Sequence, residues 1–364
     1  MSLHATEEKR IPLTLRLPVQ GSIAFSPEGL AMPGHERLRA IIERRLPEAP
    51  FQRLIDLRLT DVGPGMCTWV MPASPWWQSV ARVFPAGVAA LIADTAGAAV
   101  LSIAPVGVIA PTSELAVDFL RPMSVRCGTI IARSRLVHVG RAVGLATVSV
   151  EDGRGRVLAH GTTRCVLAPL DAASIPQRLT EPTAGLEGAS PLDTPLEGRL
   201  ADPEFLGSVP GRELMIEVMK NSPFATLLGV ELEEIDDGHV SVWMRSSPWL
   251  ANPGGVVFGG FIALLADLAV SGAVISLLPP RTSYGHLDLK VSYVRPVTAG
   301  DGDLVAHASV AHRGRTIVIT NWKVLNAAGK PVAIGNESTL LAPDRPFGRA
   351  VSIADELQMV ESTG

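Results

Sequence analysis

Two hydrophobic periods alternate along this chain. Runs of period two, the mark of strands buried on one face, occur at ELAVDFLRP (114–122) and HLDLKVSYVRP (286–296). LVAHASVAHRGR turns at a glycine into TIVITNWKVLNAAGK, which predicts a hairpin, and PVAIGNESTLLAP follows as a last strand. Helical spacing appears in GHERLRAIIERRL (34–46) and GRELMIEVMKNSPF (211–224). The longest apolar run is NPGGVVFGGFIALLADLAVSGAVISLLPP (252–280), apolar on every helical face except at Asp267. A bilayer span needs about 20 apolar residues, and an acid at its centre costs roughly 2.5–3.5 kcal/mol. Asp267, the flanking prolines and the lack of a neighbouring Lys/Arg cluster point instead to a helix wrapped by other protein. One long helix with several antiparallel strands is an α+β pattern.

The pattern occurs twice. Shifted by 173, Phe51 falls on Phe224, Met71 on Met244, Pro75-Trp76 on Pro248-Trp249, Gly87 on Gly260 and Asp94 on Asp267. After one inserted residue the shift is 174: Leu115 falls on Leu289, Arg121-Pro122 on Arg295-Pro296, and Gly140-Arg141 on Gly314-Arg315. A register held this long marks an internal repeat. It predicts two units, 34–170 and 206–345. They are joined by a linker over 171–205 whose Pro, Ala, Gly and acid content suits an extended, solvated segment. A short helix and loose tail are expected after it, in RAVSIADELQMVESTG.

Composition narrows the function classes. With 364 residues there is room for two cores. A formal net charge of −4 leaves no basic footprint for nucleic acid, and no polybasic run suggests a membrane surface. The N-terminal stretch lacks a secretory pattern, so a cytoplasmic location is expected. Cys67, Cys127 and Cys165 are odd in number and far apart, which suggests buried thiols rather than a zinc site or a disulfide framework. No metal or separate cofactor is expected. Walker A, G-x-G-x-x-G, G-x-S-x-G and H-E-x-x-H patterns do not occur.

The spacing of Asn252, Gly255, Phe258, Gly259, Gly260 and Asp267, followed by Tyr293-Val-Arg295-Pro296, resembles the hotdog-fold acyl-CoA thioesterases of the PaaI type. The other unit carries Ser79, Arg82, Pro85, Ala86, Gly87 and Asp94, then Phe119-Leu-Arg121-Pro122. The family's histidine is replaced by Phe258 in one unit and by Pro85 in the other. The resemblance implies two tandem hotdog units, each a long central helix wrapped by a curved antiparallel sheet. It also implies an acyl-CoA substrate with no cofactor beyond it.

Helix N-termini present unpaired N–H groups, and glycines there let a substrate approach the backbone. Gly259 and Gly260 are therefore candidate oxyanion donors. Asp267 lies about 10 Å along its own helix from Gly260 and cannot serve that end. An antiparallel neighbour helix can. In the resembled family it comes from a dimer partner; here the other unit supplies it.

Asp94 is thus expected at Gly259-Gly260, with Thr112 and Asn252, as the favoured site. Asp267 is expected at Ala86-Gly87, with Ser79 and His286 or Ser283. The acid would be nucleophile or general base. Phe258 would shape an acyl pocket, and Arg141, Arg313 and Arg315 could meet CoA phosphates. A medium-chain or aromatic acyl group is expected, and a dimer or trimer of the chain. The alternative is a degenerate hotdog protein that binds acyl-CoA or serves assembly. A hotdog hydratase would need an Asp and His before the long helix, which are not found.

Overall fold

A computed structural model describes residues 27–171, 192, 208–280, 282–298, 300 and 302–342. The expected linker, apart from its first residue and Leu192, and the expected C-terminal helix lie outside the described residues. The first half contributes β1 (Arg58–Gly63), β2 (Met66–Pro72), β3 (Val108–Ile109), β4 (Thr112–Phe119), β5 (Thr129–Val139), β6 (Val143–Asp152), β7 (Val157–Val166) and β8 (Ala168–Pro169). The second contributes β9 (Val230–Asp236), β10 (His239–Arg245), β11 (Ser283–Tyr293), β12 (Asp303–Arg313), β13 (Ile317–Leu325) and β14 (Pro331–Ala342). The alternating runs all became strands: each puts its apolar phase inward, as Leu115, Val117 and Phe119 do on β4.

Twelve strands form one antiparallel sheet in the order β1-β2-β5-β6-β7-β4-β11-β14-β13-β12-β10-β9, and β3 pairs with β8 apart from it. The halves join edge to edge through β4 and β11, where Leu115 lies opposite Val291 and Val117 opposite Leu289. All four side chains are buried, so the junction continues the core rather than interrupting it.

Each half wraps one central helix. In the second it runs unbroken over Gly259–Ile275, with every residue but Gly259 buried. In the first it is helical over Gly87–Ala93, tightens to a 3₁₀ turn at Asp94–Ala96, and resumes over Gly97–Leu101. A 3₁₀ turn rises about 2.0 Å per residue against 1.5 Å for α. The first helix therefore covers the same distance with fewer residues, which is the physical origin of the one-residue step in the repeat.

The two central helices pack against each other at two close crossings. A Cβ on Gly87 would lie 2.8 Å from Leu264 Cα, and one on Gly260 would lie 2.6 Å from the Leu91 carbonyl. No side chain but hydrogen fits either place. The amphipathic helices Gly34–Ile42 and Gly211–Asn221 close the far ends. Among the described residues no helix is long and apolar enough to cross a membrane.

Candidate active site

Each crossing sets a helix N-terminus against an acid of the opposite helix. The loops leading in are matched. Ser79 N–H donates to the Val83 carbonyl and Asn252 N–H to the Val256 carbonyl, both at 2.8 Å. Arg82 and Gly255 hold the equivalent left-handed position at φ 64 and 73. Asn252 spends its side-chain oxygen inside this loop, accepting from the Gly254 N–H at 2.8 Å. Asn252, expected among the residues of the favoured site, thus uses that oxygen to shape the turn. Ser79 likewise donates its hydroxyl to the Val83 carbonyl.

At the first crossing Asp94 meets Gly259-Gly260. The Gly260 N–H and the Thr112 hydroxyl both donate to its carboxylate, while Oδ1 stays without a partner. Burial pushes the Asp94 pKa up to about 6, against the pull of those two bonds. Sequence reasoning thus assembled the right neighbours here, but the space is filled. Phe258 stacks on Phe51 with ring centroids 4.2 Å apart, so it packs core rather than lining an acyl pocket. The Tyr293 hydroxyl donates to the Gly259 carbonyl at 2.9 Å, and its ring lies 3.0 Å from where a Gly259 Cβ would stand.

At the second crossing Asp267 meets Gly87, and a cavity of about 180 Å³ opens beside it. Ser79, Ala86, Arg121, Ser271, Tyr284 and His286 are among its lining residues. Phe84, Met123, Met215, Met219, Phe224 and Leu268 make the rest largely apolar. The site favoured from sequence is therefore the packed one, and the open one is the other. Its acid is not at the wall. Asp267 is 0% exposed, which corrects the picture of a carboxylate that itself touches substrate.

The group at the wall is His286, whose side chain is 7% exposed. Its Nδ1 stands 3.8 Å from Asp267 Oδ1 and in ion-pair contact with Glu337. Its Nε2 is 2.9 Å from Ser271 Oγ. Burial pushes the imidazole pKa down, but the charges of Glu337 and Asp267 outweigh it and hold it up at about 9. Burial likewise pushes Asp267 up, opposed by the His286 charge and by the facing Gly87 N–H. Glu337 rises to about 8 by burial, opposed by His286 and reinforced by Asp267. Three such groups titrate as a unit. Their ligating atoms lie within 4.8 Å of one another, close enough to hold a cation.

Glu337 and Ser271 were not singled out from sequence, though signals exist. Glu337 sits in phase with Thr339 and Leu341 on β14, so it is an acid on an inward-facing strand position. Ser271 follows Asp267 by one helical turn on the same face. Arg141, Arg313 and Arg315 are exposed at hairpins and do not line the cavity. Arg313 donates to the Leu277 carbonyl just past the central helix. Arg121 and Arg295 donate to the matched carbonyls of Val157 and Pro331, which makes the repeated Arg-Pro pair a strand-end clamp. Ser283 donates to the Ala342 carbonyl.

Known proteins resemble this chain in family pattern and fold. The family pattern described as Thioesterase superfamily matches residues 86–159 and 254–333, one segment in each half. A curated Halobacterium salinarum protein named "Putative esterase" is 36% identical over 124 residues, 31% of this chain and 80% of that protein. Among solved structures, a tesB protein of Mycobacterium avium subs paratuberculosis is similar over 80% of this chain and 97% of its own, at 15% identity and TM-score 0.51. An Acyl-CoA thioesterase II TesB2 from Mycobacterium marinum is similar over 80% and 98%, at 13% identity and TM-score 0.50. A hot dog fold protein of Alicyclobacillus acidocaldarius is similar over 81% and 99%, at 14% identity and TM-score 0.51. These solved structures share the tandem hotdog fold. With the family pattern in both halves and a 36% identical relative covered over most of its length, this chain belongs to the hotdog-fold thioesterase superfamily and is a thioester hydrolase.

Proposed function

We propose that the protein is an acyl-CoA thioesterase whose working site is the cavity at Ala86, Ser271 and His286. One observation carries this choice: a cavity reaches the helix crossing beside Asp267, whereas aromatic rings pack the crossing beside Asp94. The apolar lining suits a medium-chain or aromatic acyl group, since burying such a group releases about 25 cal/mol per Å². The thioester would lie at the polar side of the cavity. His286 is the titratable group there, and Asp267 and Glu337 act through it as positioning acids that raise its basicity. The TesB2 neighbour's description as an acyl-CoA thioesterase is consistent with a CoA thioester. The outer edges of β1 and β9 meet no further strand among the described residues, which supports further self-association.

The test is thiol release from short, medium-chain and aromatic acyl-CoAs by the purified chain. His286→Gln is expected to lower kcat/KM by about 10²–10⁴, while Asp94→Asn leaves it within a few fold. Loss of turnover in Asp94→Asn, with His286→Gln unaffected, would move the reaction to the first crossing. Thermal protection by acyl-CoA without any thiol release would make the protein a binder.

A further inference from the structure

We propose that Ser271 is the nucleophile of this site, activated by His286 with Glu337 behind it, so that hydrolysis passes through an acyl-serine ester. The proposal rests on the cavity being the thioesterase site. Three independent observations lead to it.

The first is geometry. Ser271 Oγ lies 2.9 Å from His286 Nε2, and the opposite ring nitrogen contacts the Glu337 carboxylate. With the ring proton on Nδ1, facing Glu337 and Asp267, Nε2 accepts from the serine hydroxyl. Nucleophile, base and orienting acid stand in the order that serine catalysis requires. Ser271 and His286 both line the cavity.

The second is the behaviour of helical hydroxyls. A serine inside a helix ordinarily bonds back to a carbonyl of the preceding turn. Thr95, Ser102 and Ser276 all do so, donating to Ile92, Ala99 and Ala273. Ser271 leaves its helix and meets the imidazole instead. The other cavity serines, Ser79 and Ser283, donate to backbone carbonyls.

The third is asymmetry. Thr112 and Thr163 occupy the first-half positions matching His286 and Glu337 under the 174 shift. Gly97 takes the place of Ser271: a Cβ there would meet Thr112 Oγ1 at 3.4 Å and Cys165 Sγ at 3.3 Å. Of the two matched crossings, only the one beside the cavity brings serine, imidazole and acid together.

In the first step the Ser271 oxygen bonds to the thioester carbonyl carbon and its proton passes to Nε2. The C–S bond then breaks, and the departing sulfur takes that proton as free thiol. Water next adds to the serine ester, giving its proton to Nε2. The C–O bond to Ser271 breaks, the serine oxygen recovers the proton, and the acid departs. Thioester and water become acid and thiol, and His286 is unchanged. The Tyr284 hydroxyl also bonds to Ser271 and lines the cavity beside it.

A fluorophosphonate probe on the full chain, read by intact and peptide mass spectrometry, tests the nucleophile without needing the right acyl group. One equivalent on Ser271, lost in Ser271→Ala and reduced in His286→Gln at unchanged melting temperature, is expected. Thiol release should fall at least about a hundredfold in Ser271→Ala. Ser271→Cys should regain covalent capture, by iodoacetamide, at the same position. Undiminished turnover in a folded Ser271→Ala, or labelling elsewhere, overturns the covalent route and leaves a water-based thioesterase standing. Labelling of Ser271 with no thiol release from any acyl-CoA supports the nucleophile and defeats the acyl-CoA reading.

Discussion

His286 acts as a base only after losing a proton that Glu337 and Asp267 hold on it, up to a pKa of about 9. Activity should therefore rise with pH well above the ordinary histidine range. Removing the Glu337 charge with Glu337→Gln should move that limb to lower pH, because its charge leads the upward pull; a kcat/KM profile for both proteins checks the direction. Asp94 supplies a second residue-scale prediction. Its folded pKa, about 6 against 3.8 ordinarily, means its ionised form is disfavoured in the fold. The associated stability is present below about pH 4 and is lost as pH rises through 6. At 1.36 kcal/mol per pH unit the loss is roughly 3 kcal/mol. Asp94→Asn should then raise Tm at pH 7.5 and leave it unchanged at pH 4. A drop in Tm at both pH values would show that the carboxylate is needed by the fold.

Between elements, glycine decides how closely helices approach. Gly34 and Gly211 begin the two amphipathic helices, and a Cβ on either would stand 1.7 Å from a carbonyl oxygen in the last turn of the adjoining central helix, Leu101 or Ile275. Backbone cannot yield as a side chain can, so Gly211→Ala should cost at least about 1–3 kcal/mol. Because Gly211 packs against Ile275, beside the cavity wall, KM should suffer along with Tm, whereas Gly34→Ala should lower Tm alone. Differential scanning fluorimetry and a substrate titration separate the two. The 3₁₀ turn at Asp94–Ala96 belongs to this scale as well: it absorbs one residue of the repeat and leaves Gly97, without a side chain, opposite Thr112.

Across the whole molecule the halves share one core. A single hydrophobic cluster includes Leu91 and Val117 from the first half and Leu264 and Leu289 from the second, and β4 pairs with β11 along a buried seam. Neither half can open without exposing the other's central helix. Thermal unfolding should accordingly be one transition, with calorimetric and van't Hoff enthalpies in agreement. Two resolved transitions would mean that each half holds its own core.

The repeat, the strands and the buried helices were legible in the sequence because period and register survive without knowledge of packing. Asp94 and Asp267 stood out for the same reason: an acid inside an apolar helix needs a partner, and helix rise alone shows that its own N-terminus is out of reach. Which crossing is open could not be read that way. It depends on Phe258 meeting Phe51, residues some two hundred positions apart, and on Tyr293 filling the space beside Gly259. Glu337 was visible only as an acid in the inward phase of its strand, and Ser271 only as a serine one turn past Asp267. That both converge on His286 is decided by the pairing of β11 with β14 and by the helix laid across them, because side-chain distances between separate elements are set by tertiary packing.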